Sequence, residues 1–141
     1  MNGDKGFLDT SILLYALCPS VPAKAQTAKR LLERALVSGD AVVSYQVVQE
    51  FVSVAQQKFR SALSPSELDE LLGRVFLPLL AVESSLELVR AGLALQRQRK
   101  LAWHDALIVA AALQAGCRVL YSEDFQHGQS FDDLRVVNPF L

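Results

Sequence analysis

The sequence predicts an α/β fold, a three-layer sandwich with helices on both faces of a central, mainly parallel sheet of four or five strands. Three observations predict it. Short apolar runs bounded by turn residues alternate with helical periodicity along the chain, as expected for parallel strands joined by crossover helices. The length of 141 residues suits one domain, so residues 1–141 are read as a single unit. Hydrophobic residues at 51% and charged residues at 21% describe a folded globular chain rather than a disordered one.

Residues 6–9, Gly-Phe-Leu-Asp, read as a short buried strand ending in an acid, and residues 10–17 as a short helix before Pro19 and Pro22. Ala28, Leu31, Leu32, Ala35 and Leu36 give helical spacing over residues 23–37, with Gly39 as the stop. Residues 41–44 form a second strand, and Val47, Val48, Phe51, Val54 and Ala55 restore the helical period over residues 45–59. Ser64, Pro65 and Glu67 mark a helix start with a capping box and a first-turn proline, and Ser84 with Glu87 repeats the box. Between them, residues 79–82 make a short strand after Pro78. Residues 103–115 form a helix stopped by Gly116, and residues 118–122 and 135–138 are the last strands, the second closed by Pro139. Ligands in such sheets bind at the carboxyl ends of the strands.

Composition excludes several functions. Fourteen Lys and Arg against fifteen Asp and Glu leave a net charge of −1, so nucleic-acid binding needs a local basic patch. Arg90, Arg97, Arg99 and Lys100 are candidates for it, and a solvated helix face explains them as well. Cys18 and Cys117 lack zinc spacing and are too few for a disulfide scaffold. They read as core residues in a reducing compartment. The run 12–18 is apolar, but Asp4 and Asp9 precede it where a signal peptide needs basic residues. Apolar stretches such as residues 75–82 fall far short of the roughly 18 residues of a membrane span. A cytoplasmic protein without membrane contact is expected.

Four acids stand where acids are costly. Asp9 follows the first strand, Glu50 lies between Val47 and Val54 beside Phe51, and Asp105 is in line with Leu101, Ile108, Val109 and Ala112. Asp124 comes two residues after the fourth strand. In a doubly wound sheet all four can converge on one rim. Each alone has a plain explanation: a cap, a helix-dipole contact, a snorkelling side chain, a turn acid. Together they need a counter-charge, and no Lys or Arg lies within a turn of Glu50 or Asp105 on the same stripe. A hard divalent ion, Mg2+ or Mn2+, suits an all-oxygen set.

The segments carrying these acids resemble those of the PIN-domain family of metal-dependent ribonucleases, especially VapC-type toxins. They are Phe7, Leu8, Asp9, Thr10, Ser11 and Ile12; Val48, Gln49, Glu50 and Phe51; residues 103–113; and Leu120, Tyr121, Ser122, Glu123, Asp124 and Phe125. The resemblance spans essentially the whole chain. It implies a PIN-like fold and a catalytic metal site on Asp9, Glu50, Asp105 and Asp124. It also implies supporting positions at Ser11, to orient water, and at Ser122. Glu123 replaces Asp124 if that turn has another register. The resemblance further implies hydrolysis of RNA to 5′-phosphate and 3′-hydroxyl ends, a homodimer, and a small antitoxin partner in a toxin–antitoxin system.

The alternatives are a non-catalytic PIN-like module that binds RNA or protein, and a phosphotransfer domain. The latter is disfavoured by the lack of a Gly-rich nucleotide loop and by Thr10 and Ser11 where a dehalogenase-type phosphatase has a second acid. His104 reads as a packing or surface residue, or else as an acid or RNA contact. Trp103 reads as core or interface. His127 receives no catalytic role.

Overall fold

The structure, a computed structural model, describes residues 4–141. Strand β1 (Gly6–Leu8) is buried at every position, as an apolar strand covered on both faces should be. Strands β2 (Ala41–Ser44) and β3 (Leu80–Val82) extend the sheet on one side of it. Strands β4 (Val119–Tyr121), β5 (Ser130–Phe131) and β6 (Leu134–Val137) extend it on the other, giving the order β3-β2-β1-β4-β6-β5. The five expected strands pair in parallel. The sixth, β5, is unexpected: two residues antiparallel to β6, joined to it by a tight turn in which Asp132 has φ 54. A strand that short carries no periodicity to read.

The helices are α1 (Thr10–Leu17), α2 (Pro22–Ser38), α3 (Tyr45–Lys58), α4 (Pro65–Leu71), α5 (Leu77–Leu79), α6 (Leu86–Arg99) and α7 (Trp103–Gln114). Gly39, with φ 71, ends α2 in the left-handed conformation that favours glycine. The box at Ser64 and Glu67 forms, with both reciprocal bonds made. The expected box at Ser84 does not. Ser85 is the cap, its Oγ accepting from the Leu88 N–H at 3.1 Å. With Leu86 as the first helical residue, the third position is Leu88, and Glu87 instead meets the positive end of the helix. Helices α4 and α5 are joined by a π-helical turn, Leu72–Phe76, in which the Leu77 N–H donates to the Leu72 carbonyl. Pro78 has no N–H and crowds the carbonyl four residues back, and the wider turn accommodates it.

The core centres on fully enclosed Phe7, Leu8, Ile12, Phe51, Phe76 and Leu120. The rings of Phe51 and Phe76 meet with centroids 4.9 Å apart, which ties α3 to the π-helical turn. Cys18 and Cys117 are free and buried. No helix among the described residues is long and apolar enough to cross a membrane.

The chain leaves β1 for β2 and β3, then returns to lay β4 along the other side of β1. Successive connections thus depart in opposite directions at the β1–β4 junction, which leaves a crevice at the carboxyl ends of these strands. Because Phe51 anchors the helix that carries Glu50, Phe51→Ala should lower stability by about 3–5 kcal/mol. Urea unfolding of parent and variant measures this.

Candidate active site

Asp9 sits at that junction. Its backbone N–H donates to the Tyr121 carbonyl at 3.1 Å, so pairing with β4 continues one residue past β1. Its side chain is buried, with a residue exposure of 5%. Oδ1 accepts from the Thr10 N–H at 2.8 Å, and Oδ2 accepts from the Ser122 hydroxyl at 2.6 Å. An ordinary cap serves the second or third N–H of its helix. Asp9 serves the first, so capping accounts for little of its placement. Ser122 is fully buried and also accepts from the Asp124 N–H at 3.0 Å. One hydroxyl therefore links the loop after β4 to the acid after β1.

Glu50 is half-buried on α3. Its Oε1 accepts from the Thr10 hydroxyl at 2.6 Å. The Gln46 amide, one helical turn earlier, donates to Glu50 Oε2 at 3.4 Å and to the His104 carbonyl at 3.1 Å. This joins α3 to the first turn of α7, where Asp105 lies half-buried. Thr10 and Gln46 were not among the residues expected from sequence. Their signals were faint: Thr10 adjoins Asp9, and Gln46 stands at the i−4 position that faces Glu50 on a helix.

The acids feel one another. Burial, opposed by the Ser122 and Thr10 hydrogen bonds and reinforced by the charges of Asp124 and Glu50, raises Asp9 from 3.8 to about 6. Burial and then Glu50 raise Asp105, while His104 lowers it. Burial, then Glu123, Asp105 and Glu50 raise Asp124. None of Asp9, Glu50, Asp105 and Asp124 forms an ion pair among the described residues.

Glu123 behaves differently. It pairs with Lys24 at 2.7 Å and accepts from the Tyr15 hydroxyl. Burial pushes its carboxyl up, but these two bonds outweigh burial and leave it lowered. Lys24 also lies over the Tyr15 and Phe140 rings, at 5.0 and 5.4 Å from their centroids. Of the two neighbouring acids, Asp124 is thus the one without a cation. Ser11 Oγ is buried and has no hydrogen-bond partner.

Other candidates lie elsewhere or are engaged. His127 Nδ1 accepts from the Asn138 N–H. Arg99 is not a free member of a basic patch: it donates to the Ser130 carbonyl at 2.6 Å and lies 4.6 Å from the Phe131 ring centroid. The unexpected β5 supplies both partners. Arg90, Arg97 and Lys100 are exposed. Trp103 is half-buried beside Gly92.

The acids are more open than a closed ligand shell. Among the described residues, no three His, Cys, Asp or Glu side chains stand close enough to hold one ion between them. An ion that retains several waters, as Mg2+ does, suits such spacing. The all-oxygen donors, the lack of a compensating cation and the unpartnered Ser11 hydroxyl fit a hard hydrated cation.

Residues 6–130 match the family model described as the PIN domain. No curated protein matches the sequence. Among solved structures, the chain is similar to a toxin–antitoxin complex from Klebsiella pneumoniae, with a TM-score of 0.69 and 18% identity, covering 96% of this chain and 98% of that one. It is also similar to VapC20 from Mycobacterium tuberculosis, a toxin that cleaves the sarcin–ricin loop. There the TM-score is 0.60 at 21% identity, covering 85% of this chain and 90% of that one.

Asp9 makes stability depend on pH. The folded chain keeps its proton to about pH 6, whereas the unfolded chain releases it near 3.8. The stability gained by holding that proton is complete below 3.8 and lost as pH rises through about 6. In chelator, Asp9→Asn should flatten this slope and exceed the parent at pH 7 by up to about 3 kcal/mol. Urea melts between pH 4 and 7 decide, and identical slopes for the two proteins would contradict the assignment.

Proposed function

The chain belongs to the PIN domain family, and we propose that it is a divalent-metal-dependent endoribonuclease, the toxin of a toxin–antitoxin pair, acting in the cytoplasm. Residues 1–141 would form one nuclease domain. The observation that carries this reading is the group of acids at the β1–β4 junction, in electrostatic contact and without a cation among the described residues. Such acids disfavour the non-catalytic reading, since a binding module gains nothing from their repulsion.

In this proposal Asp9, Glu50, Asp105 and Asp124 would hold a hydrated Mg2+ or Mn2+, with at most two of them bound directly and the others through its waters. A divalent ion supplies Lewis acidity that activates water and draws charge from a phosphoryl oxygen. Ser122 and the Thr10 N–H fix the Asp9 carboxylate, and the Thr10 hydroxyl fixes Glu50. Ser11, whose buried hydroxyl has no hydrogen-bond partner, would orient the attacking water once its side chain turns toward the mouth. Glu123 supports the loop through Lys24 and Tyr15 and leaves Asp124 to the mouth.

Asp105→Asn should reduce RNA cleavage by more than about 100-fold, beyond the loss typical of residues that merely support a metal ligand. Mg2+ at a hundred times its dissociation constant should stabilise the parent by about 2.7 kcal/mol and the variant by less. Cleavage assays on an RNA panel, paired with thermal melts with and without metal, test both. Equal metal response together with undiminished cleavage would remove Asp105 from the site.

The likeness to a toxin–antitoxin complex supports a small antitoxin partner, and family likeness supports a homodimer. Light scattering across concentration should give twice the chain mass. A monomer at every concentration would refute the dimer and leave the site untouched.

A further inference from the structure

A cavity of about 420 Å³ opens beside the acidic mouth, between the start of α3, the loop after β3 and the first turns of α7. Its size falls in the usual range of small-ligand pockets, about 300–1,000 Å³. Leu88 and Leu107 give it apolar lining, and Glu50 belongs both to it and to the acidic group. Anything held there lies next to the proposed reaction centre.

Two lining residues, Tyr45 and Glu83, say what it would hold, and Gln46 fixes the wall beside them. Gln46 has its Nε2 committed to Glu50 and to the His104 carbonyl, both acceptors, so the amide cannot be turned the other way. Its Oε1 is buried from solvent, so Gln46 braces Glu50 and presents no acceptor at the cavity surface. Tyr45 lines the same cavity at 42% exposure, and an exposed aromatic ring can stack on a base. Glu83, exposed on the β3–α6 loop, is acceptor-only when ionised. The cavity thus combines an apolar lining, an exposed aromatic ring and an exposed carboxylate acceptor.

We propose that this cavity is a nucleobase subsite for the RNA strand, selecting a base whose edge presents N–H donors, guanine above all. The proposal rests on the nuclease reading. Guanine offers two adjacent donors on its Watson–Crick edge, which a carboxylate accepts side by side. Uracil offers one donor between two carbonyls, which the Glu83 carboxylate would repel. Tyr45 would stack on the base.

Guanosine and uridine, titrated in EDTA and followed by NMR shifts of the Tyr45 ring and the Leu107 methyls, test the subsite. Nucleosides carry no phosphate, so neither metal nor cleavage enters. Guanosine should bind about tenfold more tightly than uridine, the discrimination expected of one good bidentate contact. Glu83→Gln should abolish that preference, and Tyr45→Ala should weaken both nucleosides about tenfold. Equal affinities, no binding, or variants that behave as the parent would overturn the proposal. So would a Tyr45→Ala protein that changes from dimer to monomer with nucleoside preference intact, since the cavity would then belong to a contact between copies. A cleavage assay in Mg2+ separates the two readings. A parent that prefers guanosine but cuts no RNA sinks the nuclease and keeps the subsite, whereas cleavage without guanosine preference sinks only the subsite.

Discussion

Four carboxylates feel one another's charge near the carboxyl ends of the central strands, with no cation between them among the described residues, and the structure around them answers that repulsion. Asp9 is the extreme case, since it is both buried and near other charges. Left alone, such a group would take up a proton or unfold its surroundings. Here its two oxygens receive donors from Thr10 and Ser122, and the donors are themselves held: Thr10 by the first turn of α1, Ser122 by the Asp124 N–H. Hydrogen bonds lessen the expense of the charge without removing it. In the proposed nuclease that would keep affinity in reserve for an external cation, because a fully neutralised group would have none to offer.

The contrast between Glu123 and Asp124 makes the same point. Adjacent in sequence, they face opposite electrostatic conditions. Glu123 is lowered by Lys24 and Tyr15, and Asp124 is raised by burial and by other acids, Glu123 among them. The Lys24 pair settles one charge and thereby anchors the loop on which the other is carried. Phe140 packs edge-on against Tyr15 at 5.2 Å, so residues near the end of the chain brace this anchor.

Much of this was legible in the sequence because it rests on local patterns. Alternating periodicities gave the five parallel strands, and Gly39 and Ser64 marked helix ends because their backbone and side-chain chemistry acts within a few residues. Glu50 and Asp105 stood out as acids on apolar stripes. What escaped was non-local or finely poised. The π-helical turn depends on how Pro78 is absorbed into a packed helix, and β5 depends on a turn at Asp132. Ser85 displaced Ser84 as a cap because the first helical residue shifted by one. The roles of Thr10 and Gln46 depend on partners 40 and 58 residues away, and Arg99 was drawn off by a strand that sequence periodicity does not announce.

The central place of β1 has a temporal consequence. Gly6 pairs with Val119, and Asp9 receives its Ser122 bond across 113 residues of sequence. Contacts of such long range form late and slowly, because the intervening chain must first be brought into order. During synthesis, helices α1 to α3 and strand β2 can gather around β1 well before β4 exists. The acidic mouth is therefore completed only once β4 is in place. A nascent chain without β4 lacks half of the Asp9 cradle, so an RNA-cutting centre of this design would stay unassembled until that strand is in place.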